Sequence, residues 1–134
     1  MTSETNMTFD IKEIKDLTVA VIHDTVIITQ AQDLLDIMST LYYTQDADTI
    51  GIVMNQGSIT SGFFDLKTGF AGEILQKFSN YHVKLAIFGD FSAYKNKSFV
   101  DFMRECNRGS LIFFVDDIDA AFDKFSNAQE RTVG

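Results

Sequence analysis

The sequence predicts an α/β domain: a single small unit with ββαβαβαβα order, whose mostly parallel sheet opens with an N-terminal antiparallel hairpin. Three observations carry that reading. The hydrophobic period switches repeatedly between runs of strand length and four-residue helical spacing. The later strand-length runs are continuously apolar, as strands covered on both faces are. One helical stretch separates each of them from the next, and that alternation implies parallel strands joined by right-handed crossovers.

The elements follow in order. Leu17-Thr-Val-Ala-Val-Ile22 and the Val-Ile-Ile run at 26–28 are short and β-branched, and His23-Asp24-Thr25 between them predicts the opening hairpin. Thr29 and Gln32 have capping-box spacing. Ala31, Leu34, Leu35, Met38, Leu41 and Tyr42 then recur on one helical face, with Asp33 and Asp36 opposite. Thr49-Ile-Gly-Ile-Val-Met54 reads as a buried strand, and a polar loop follows from 55 to 62. The next helix is predicted to begin near Asp65 and to carry Leu66, Phe70, Ile74 and Phe78 as one stripe. Val83-Lys-Leu-Ala-Ile-Phe88 is another strand. Ser98 with Asp101 predicts the cap of a helix whose inner face is Phe99, Phe102, Met103 and Cys106, and Gly109 is placed to end it in a left-handed turn. Ser110-Leu-Ile-Phe-Phe-Val115 is the last strand, and Asp117 is expected to cap a final helix facing inward with Ile118, Ala121, Phe122 and Phe125.

Composition narrows the function classes. The chain has 134 residues, 46% of them hydrophobic, with 11 Lys+Arg against 19 Asp+Glu for a net charge of −8. That length suits one domain burying about 65–70% of its unfolded surface. Residues 9–126 are expected to form it, with 1–8 and 127–134 as flexible termini. The acidic balance argues against nucleic acid as a partner. The longest apolar runs fall far short of the ~20 residues of a membrane span, and the polar start lacks a signal core. A single cysteine excludes an internal disulfide framework and fits a reducing, cytoplasmic setting. Proline and tryptophan are both absent, so no X-Pro isomerisation slows folding, and Tyr and Phe supply all the aromatic packing. Charge is uneven. Residues 1–60 hold nine acidic and two basic groups, whereas 61–110 hold five acidic and seven basic, so only the middle segment offers an anion a positive field.

That middle segment also carries a resemblance. Phe63-Phe-Asp-Leu-Lys-Thr-Gly-Phe-Ala-Gly-Glu-Ile-Leu-Gln-Lys-Phe-Ser-Asn-Tyr81 closely resembles the bacterial family known as domain of unknown function 4180. The likeness continues through Val83-Lys-Leu-Ala-Ile-Phe-Gly-Asp-Phe-Ser92, Lys97-Ser98 and Glu105-Cys-Asn-Arg-Gly109 to the last strand, covering about residues 17–125. The family implies no activity, so no catalytic residue carries over. In architecture the chain is also similar to STAS domains of the anti-sigma-factor antagonist type. Asp65-Leu-Lys-Thr68-Gly69-Phe70 lies where those domains carry a phosphorylatable Ser or Thr, with Lys67 departing from the pattern, and the likeness implies Thr68 as a phosphoacceptor.

Open α/β sheets bind ligands beyond the carboxyl ends of their parallel strands. The loops there bring Asp65, Lys67, Thr68, Asp90, Ser92, Tyr94 and Lys97 to one edge, together with the start of the helix expected at Asp65. A small anion, or a phosphate on Thr68, would be held by that helix end and by Lys67 or Lys97. The competing reading makes Asp65 and Ser98 caps and the lysines ordinary surface charges. Gly69 and Gly72 each cost a helix about 1 kcal/mol relative to Ala, which predicts close packing there or, as the alternative, a partner against the helix backbone.

Other chemistry is thin. The glycine-rich dinucleotide fingerprint and the Walker loop are missing. Ser92 has no base in reach, because His82 sits at the far end of its strand and His23 in the hairpin. Two histidines and one cysteine make no structural zinc site, and Asp116, Asp117 and Asp119 lack the spacing of a calcium loop. Cys106 reads as an inert core thiol, and Arg104, Asn107 and Arg108 as a helix end rather than a site. The expectation is a non-enzymatic regulatory module without cofactor or metal, which recognises a protein partner or a small anionic ligand and binds neither nucleic acid nor membrane. Tyr42-Tyr43 suggests a face for a homodimer. The alternatives are a small-molecule sensor or an enzyme of unassigned reaction, centred on Thr68, Asp90, Ser92 and Lys97, and a phosphorylation switch at Thr68.

Overall fold

The hairpin that opens the sheet is formed by β1 (Phe9–Ile14) and β2 (Leu17–Ile22), antiparallel, with Phe9 opposite Ile22 and Ile14 opposite Leu17. It is seen in a computed structural model that describes residues 8–133, with side chains as far as Ala128. The hairpin therefore lies one strand earlier than the sequence predicts. Residues 26–28 do not pair with β2; Ile28 makes an isolated bridge to Ile59 instead, and Ile27 is 52% exposed. The physical reason is that β1 is an edge strand. Its Phe-Asp-Ile-Lys-Glu-Ile mixes charge into the pattern, as edges do, and so lacks a strong apolar signal.

After the hairpin come α1 (Ala31–Gln45), β3 (Ile50–Asn55), α2 (Phe70–Tyr81), β4 (Lys84–Phe88), α3 (Lys97–Arg108), β5 (Ile112–Val115) and α4 (Ile118–Val133). This is the expected ββαβαβαβα order. The sheet runs β1-β2-β3-β4-β5, and every neighbouring pair from β2 onward is parallel. When strand order follows chain order, right-handed crossovers all fall on one face. Accordingly α1, α2 and α3 cover Ala20, Ile52, Leu85 and Phe114 on one side. Among the described residues only α4 covers Leu17, Val19, Val53, Ala86 and Phe113 on the other. Phe9 and Ala128 are buried, so both belong to the packed unit. The flexible termini expected at 1–8 and 127–134 lie largely outside the described residues.

Gly51 shows why α4 can lie so close. A Cβ there would stand 2.7 Å from Cε2 of Phe125 and 3.0 Å from Cδ2 of Leu17.

The helix ends correct several expectations. The cap of α1 is built by Asp33, not Gln32: its Oδ2 accepts the backbone N–H of Thr29 (2.9 Å) and of Gln30 (3.3 Å), while Gln32 donates to Asp36. Asn96, not Ser98, caps α3, its Oδ1 accepting from the Phe99 N–H at 3.1 Å. Gly109 ends α3 in extended rather than left-handed backbone. Asp117 does cap α4, accepting from Ala120 N–H at 2.8 Å.

Candidate functional site

The segment joining β3 to α2 sets the geometry of the ligand-binding edge. It folds as three tight 3-10 turns, Gln56–Ser58, Ser61–Phe64 and Leu66–Thr68, and α2 begins only at Phe70. The helix start expected at Asp65 is thus displaced by five residues. Thr68 is the cause: its one hydroxyl hydrogen is shared between the carbonyls of Gly62 (2.6 Å) and Asp65 (2.9 Å), and its oxygen accepts from Phe70 N–H (3.2 Å). Gly69 then turns the chain at φ +80, a left-handed value that suits glycine. Asp65 caps the third turn through Lys67 N–H at 3.1 Å. The close packing predicted at Gly69 and Gly72 is not found, since a Cβ at either meets open space. The turn explains Gly69; nothing in the structure explains Gly72.

At the end of β4 a second cluster forms around Gln56. Its Oε1 accepts the Asp90 N–H, and its Nε2 donates to the Tyr94 hydroxyl at 3.2 Å. Gly89 is required here, because a Cβ would collide with the Gln56 side chain. Asp90 in turn accepts from the Ser92 hydroxyl (2.7 Å) and N–H (3.0 Å), which hold its carboxyl below the usual range. Ser92 therefore spends its proton on Asp90. His82 ends α2, with Lys84 to Phe88 of β4 between it and Asp90.

Beneath these loops the space is filled by aromatic rings. Phe64 stacks on Tyr94 with centroids 4.8 Å apart and 16° between planes. Phe63 meets Phe64 edge-on at 5.2 Å, Phe64 meets Phe99 at 5.6 Å, and Phe91 meets Phe114 at 5.5 Å. What remains above them is an open groove of about 290 Å³ lined by Asp65, Leu66, Lys67, Asn96 and Ser98.

The seven residues singled out in the sequence thus separate into groups. Asp65 and Lys67 share the groove; Asp90, Ser92 and Tyr94 gather round Gln56; Thr68 holds its turn together. Lys97 reaches back to Asp101 at 2.7 Å, and its side chain is 88% exposed. Sequence reasoning missed Gln56, whose contacts span 34 and 38 positions and leave no local spacing to find.

Elsewhere, a larger groove of about 510 Å³ lies between residues 26–29 and α1, where Asp33 is already committed to capping. Cys106 borders an apolar groove of about 270 Å³ with Leu75, Phe102 and Leu111, and burial pushes its thiol up to about 11. Tyr42 and Tyr43 on α1 are exposed, Tyr43 by 89%. Among the described residues no three His, Cys, Asp or Glu side chains gather as a metal site, and no helix is long and apolar enough to cross a membrane.

The family described as Domain of unknown function (DUF4180) matches residues 14–125. The chain belongs to this family. The match takes in β2 through the buried Phe125 of α4, and so contains both clusters at the loop edge of this DUF4180 chain. Comparison of the DUF4180 chain with curated proteins and with solved structures gave no match.

Proposed function

We propose that this chain is a regulatory recognition module rather than an enzyme, and that it meets a protein partner through the loops beyond β3 and β4. The ring cluster carries the reading. In an open α/β sheet a small molecule ordinarily sits in the crevice beyond the strand ends; here Phe64, Tyr94 and Phe99 occupy it. The edge offers instead a shallow polar groove, and its hydroxyls and carboxylates are largely engaged in shaping their own loops. Flat, rigid and polar-rimmed surfaces suit macromolecular recognition better than catalysis. A free thiol at Cys106 fits a reducing, cytoplasmic compartment.

The test is site-specific photo-crosslinking in the source cells, with the reactive residue placed at Lys67 or Ser98 and, as a control, at Asp123. A discrete adduct of one protein from the first two positions alone supports the reading. Equal labelling from all three, or turnover by purified protein that an Asp90→Asn substitution abolishes, defeats it.

A small anionic ligand is the second reading, favoured by Lys67 lining the same groove as Asn96 and Ser98 at the start of α3. Inorganic phosphate titrated against the amide signals of Lys67 and Ser98 decides it. A phosphorylation switch at Thr68 is weaker, since modification would cost its turn the hydroxyl hydrogen shared between two carbonyls; equal partner affinity for Thr68→Glu and Thr68→Ala would remove it. A homodimer through Tyr42 and Tyr43 predicts a doubled mass in light scattering that Tyr43→Asp abolishes.

A further inference from the structure

The large apolar side chains that stay exposed among the described residues are gathered in one region. Ile27, Tyr42, Tyr43 and Tyr81 all border α1. Tyr42 and Tyr81 line a groove of about 360 Å³ between α1 and α2, together with Leu35 and Met38. Tyr43 stands beside it on the outer row of α1, at helical spacing from Ser39 and Asp36. Exposed tyrosines grouped with a methionine are the composition of a recognition surface.

Charge says what kind of partner this groove fits. From residue 16 to residue 66 the chain holds seven aspartates and no Lys or Arg. Asp36 accepts from Gln32, itself a lining residue, at 2.9 Å, and among the described residues no cation pairs with it. Tyr42 and Tyr81 stand in the last turns of α1 and α2, and neither helix has a basic residue in that turn. The negative poles of two helix dipoles therefore meet the groove without a cation to complement them. Asp46 and Asp48 follow α1 directly, while Glu73 and Lys77 of α2 offset one another. Such a field repels phosphate backbones and anionic lipid. A second copy would set Asp36 and both helix ends against their own likes.

We propose that the α1–α2 groove docks a basic amphipathic helix of a protein partner. The apolar face of that helix lies against Leu35, Met38 and the tyrosine rings, as helices do in apolar grooves. Its Lys or Arg side chains meet Asp36, the helix ends and the ring faces of Tyr42 and Tyr43. The groove lies at the amino ends of β3 and β4, away from the loop edge, so it stands apart from the partner proposed there.

The test titrates the full chain with a synthetic helix of leucines at i, i+3, i+4 and i+7 and lysines elsewhere, beside a copy with glutamate for each lysine. The lysine peptide should shift the amide signals of Tyr42, Tyr43 and Tyr81, and the glutamate peptide should not. Tyr81→Ser should weaken binding about tenfold. Asp36→Lys should weaken it about tenfold at low salt, whereas Asp123→Lys on α4, an equal change in net charge, should leave it within about twofold. Shifts spread over the whole surface, equal binding of both peptides, or equal loss from Asp36→Lys and Asp123→Lys overturn the proposal. So does a doubled mass of the unaltered protein with Tyr43 shifting as its own concentration rises, which makes a second copy the occupant. The titrations of the unaltered chain do not depend on any variant folding.

Discussion

The two faces of the sheet are closed by unequal means. On one, three helices and the turns before α2 press a continuous network of phenylalanines against the strands, with Phe63, Phe99 and Phe114 each touching several other rings. On the other, one helix covers a strip of smaller side chains, and Phe113 with Phe125 is the aromatic pair there, at 6.3 Å. The difference follows from strand order: crossovers that always advance one strand in the same hand cannot alternate faces. What it teaches is that the crowded face fills space with bulk, while the sparse face depends on fit, and Gly51 is where that fit is tightest.

The largest expected effect compares like with like across the sheet. Phe99→Ala and Phe125→Ala should each cost about 3–5 kcal/mol in urea denaturation, Phe99 toward the upper end because more ring contacts go with it. If Phe125→Ala costs more, the sparse face is the better packed one and the comparison reverses. Next comes Gly51→Ala, which pushes a methyl into the Phe125 ring and should cost about 1–3 kcal/mol. A Phe125→Leu change in the same chain should recover part of that loss; no recovery would place the strain elsewhere. On the crowded side the two glycines of the α2 start should part company. Gly69→Ala must hold a left-handed turn and should lose about 1 kcal/mol, whereas Gly72→Ala, in open space on the helix, should gain about 0.5–1 kcal/mol.

The smallest effect is pH dependence at Cys106, also on the crowded side. Its folded pKa of about 11 lies above the ordinary 9.0 because burial disfavours the thiolate. Below pH 9 the thiol is protonated folded or unfolded, and its contribution is fully present. As pH rises through 9 toward 11 the unfolded chain ionises first, so that contribution is lost. Alkylation of the native protein should then show its midpoint near 11, and a midpoint at 9 would mean a solvated thiol.

Much of this arrangement was legible in the residues. Continuous apolar runs located β3, β4 and β5, and helical stripes located most of the inner faces of the helices, because burial acts on every turn and so repeats; on α1 the stripe wrongly took in Tyr42, which is exposed, and passed over the buried Ile37. β1 escaped because an edge strand needs charge, which dilutes the pattern. The start of α2 escaped because one threonine hydroxyl and one left-handed glycine override a stripe that otherwise runs on through Leu66. Ser98 and Asn96 are both good caps two positions apart, and local sequence does not tell which of them accepts the Phe99 N–H. For the candidate site, the sequence put Asp65 and Lys67 together on the segment after β3, and there they line one groove with Asn96 and Ser98. The filling of that edge was not readable, since rings from Phe63 to Phe114 meet there only after the chain has folded.

The placement of α4 also bears on truncation. A chain cut short before Ile118 keeps all five strands and the three helices of the other side, yet leaves Val19, Val53 and Phe113 bare. Such a half-clad sheet would be a ready substrate for holdase chaperones.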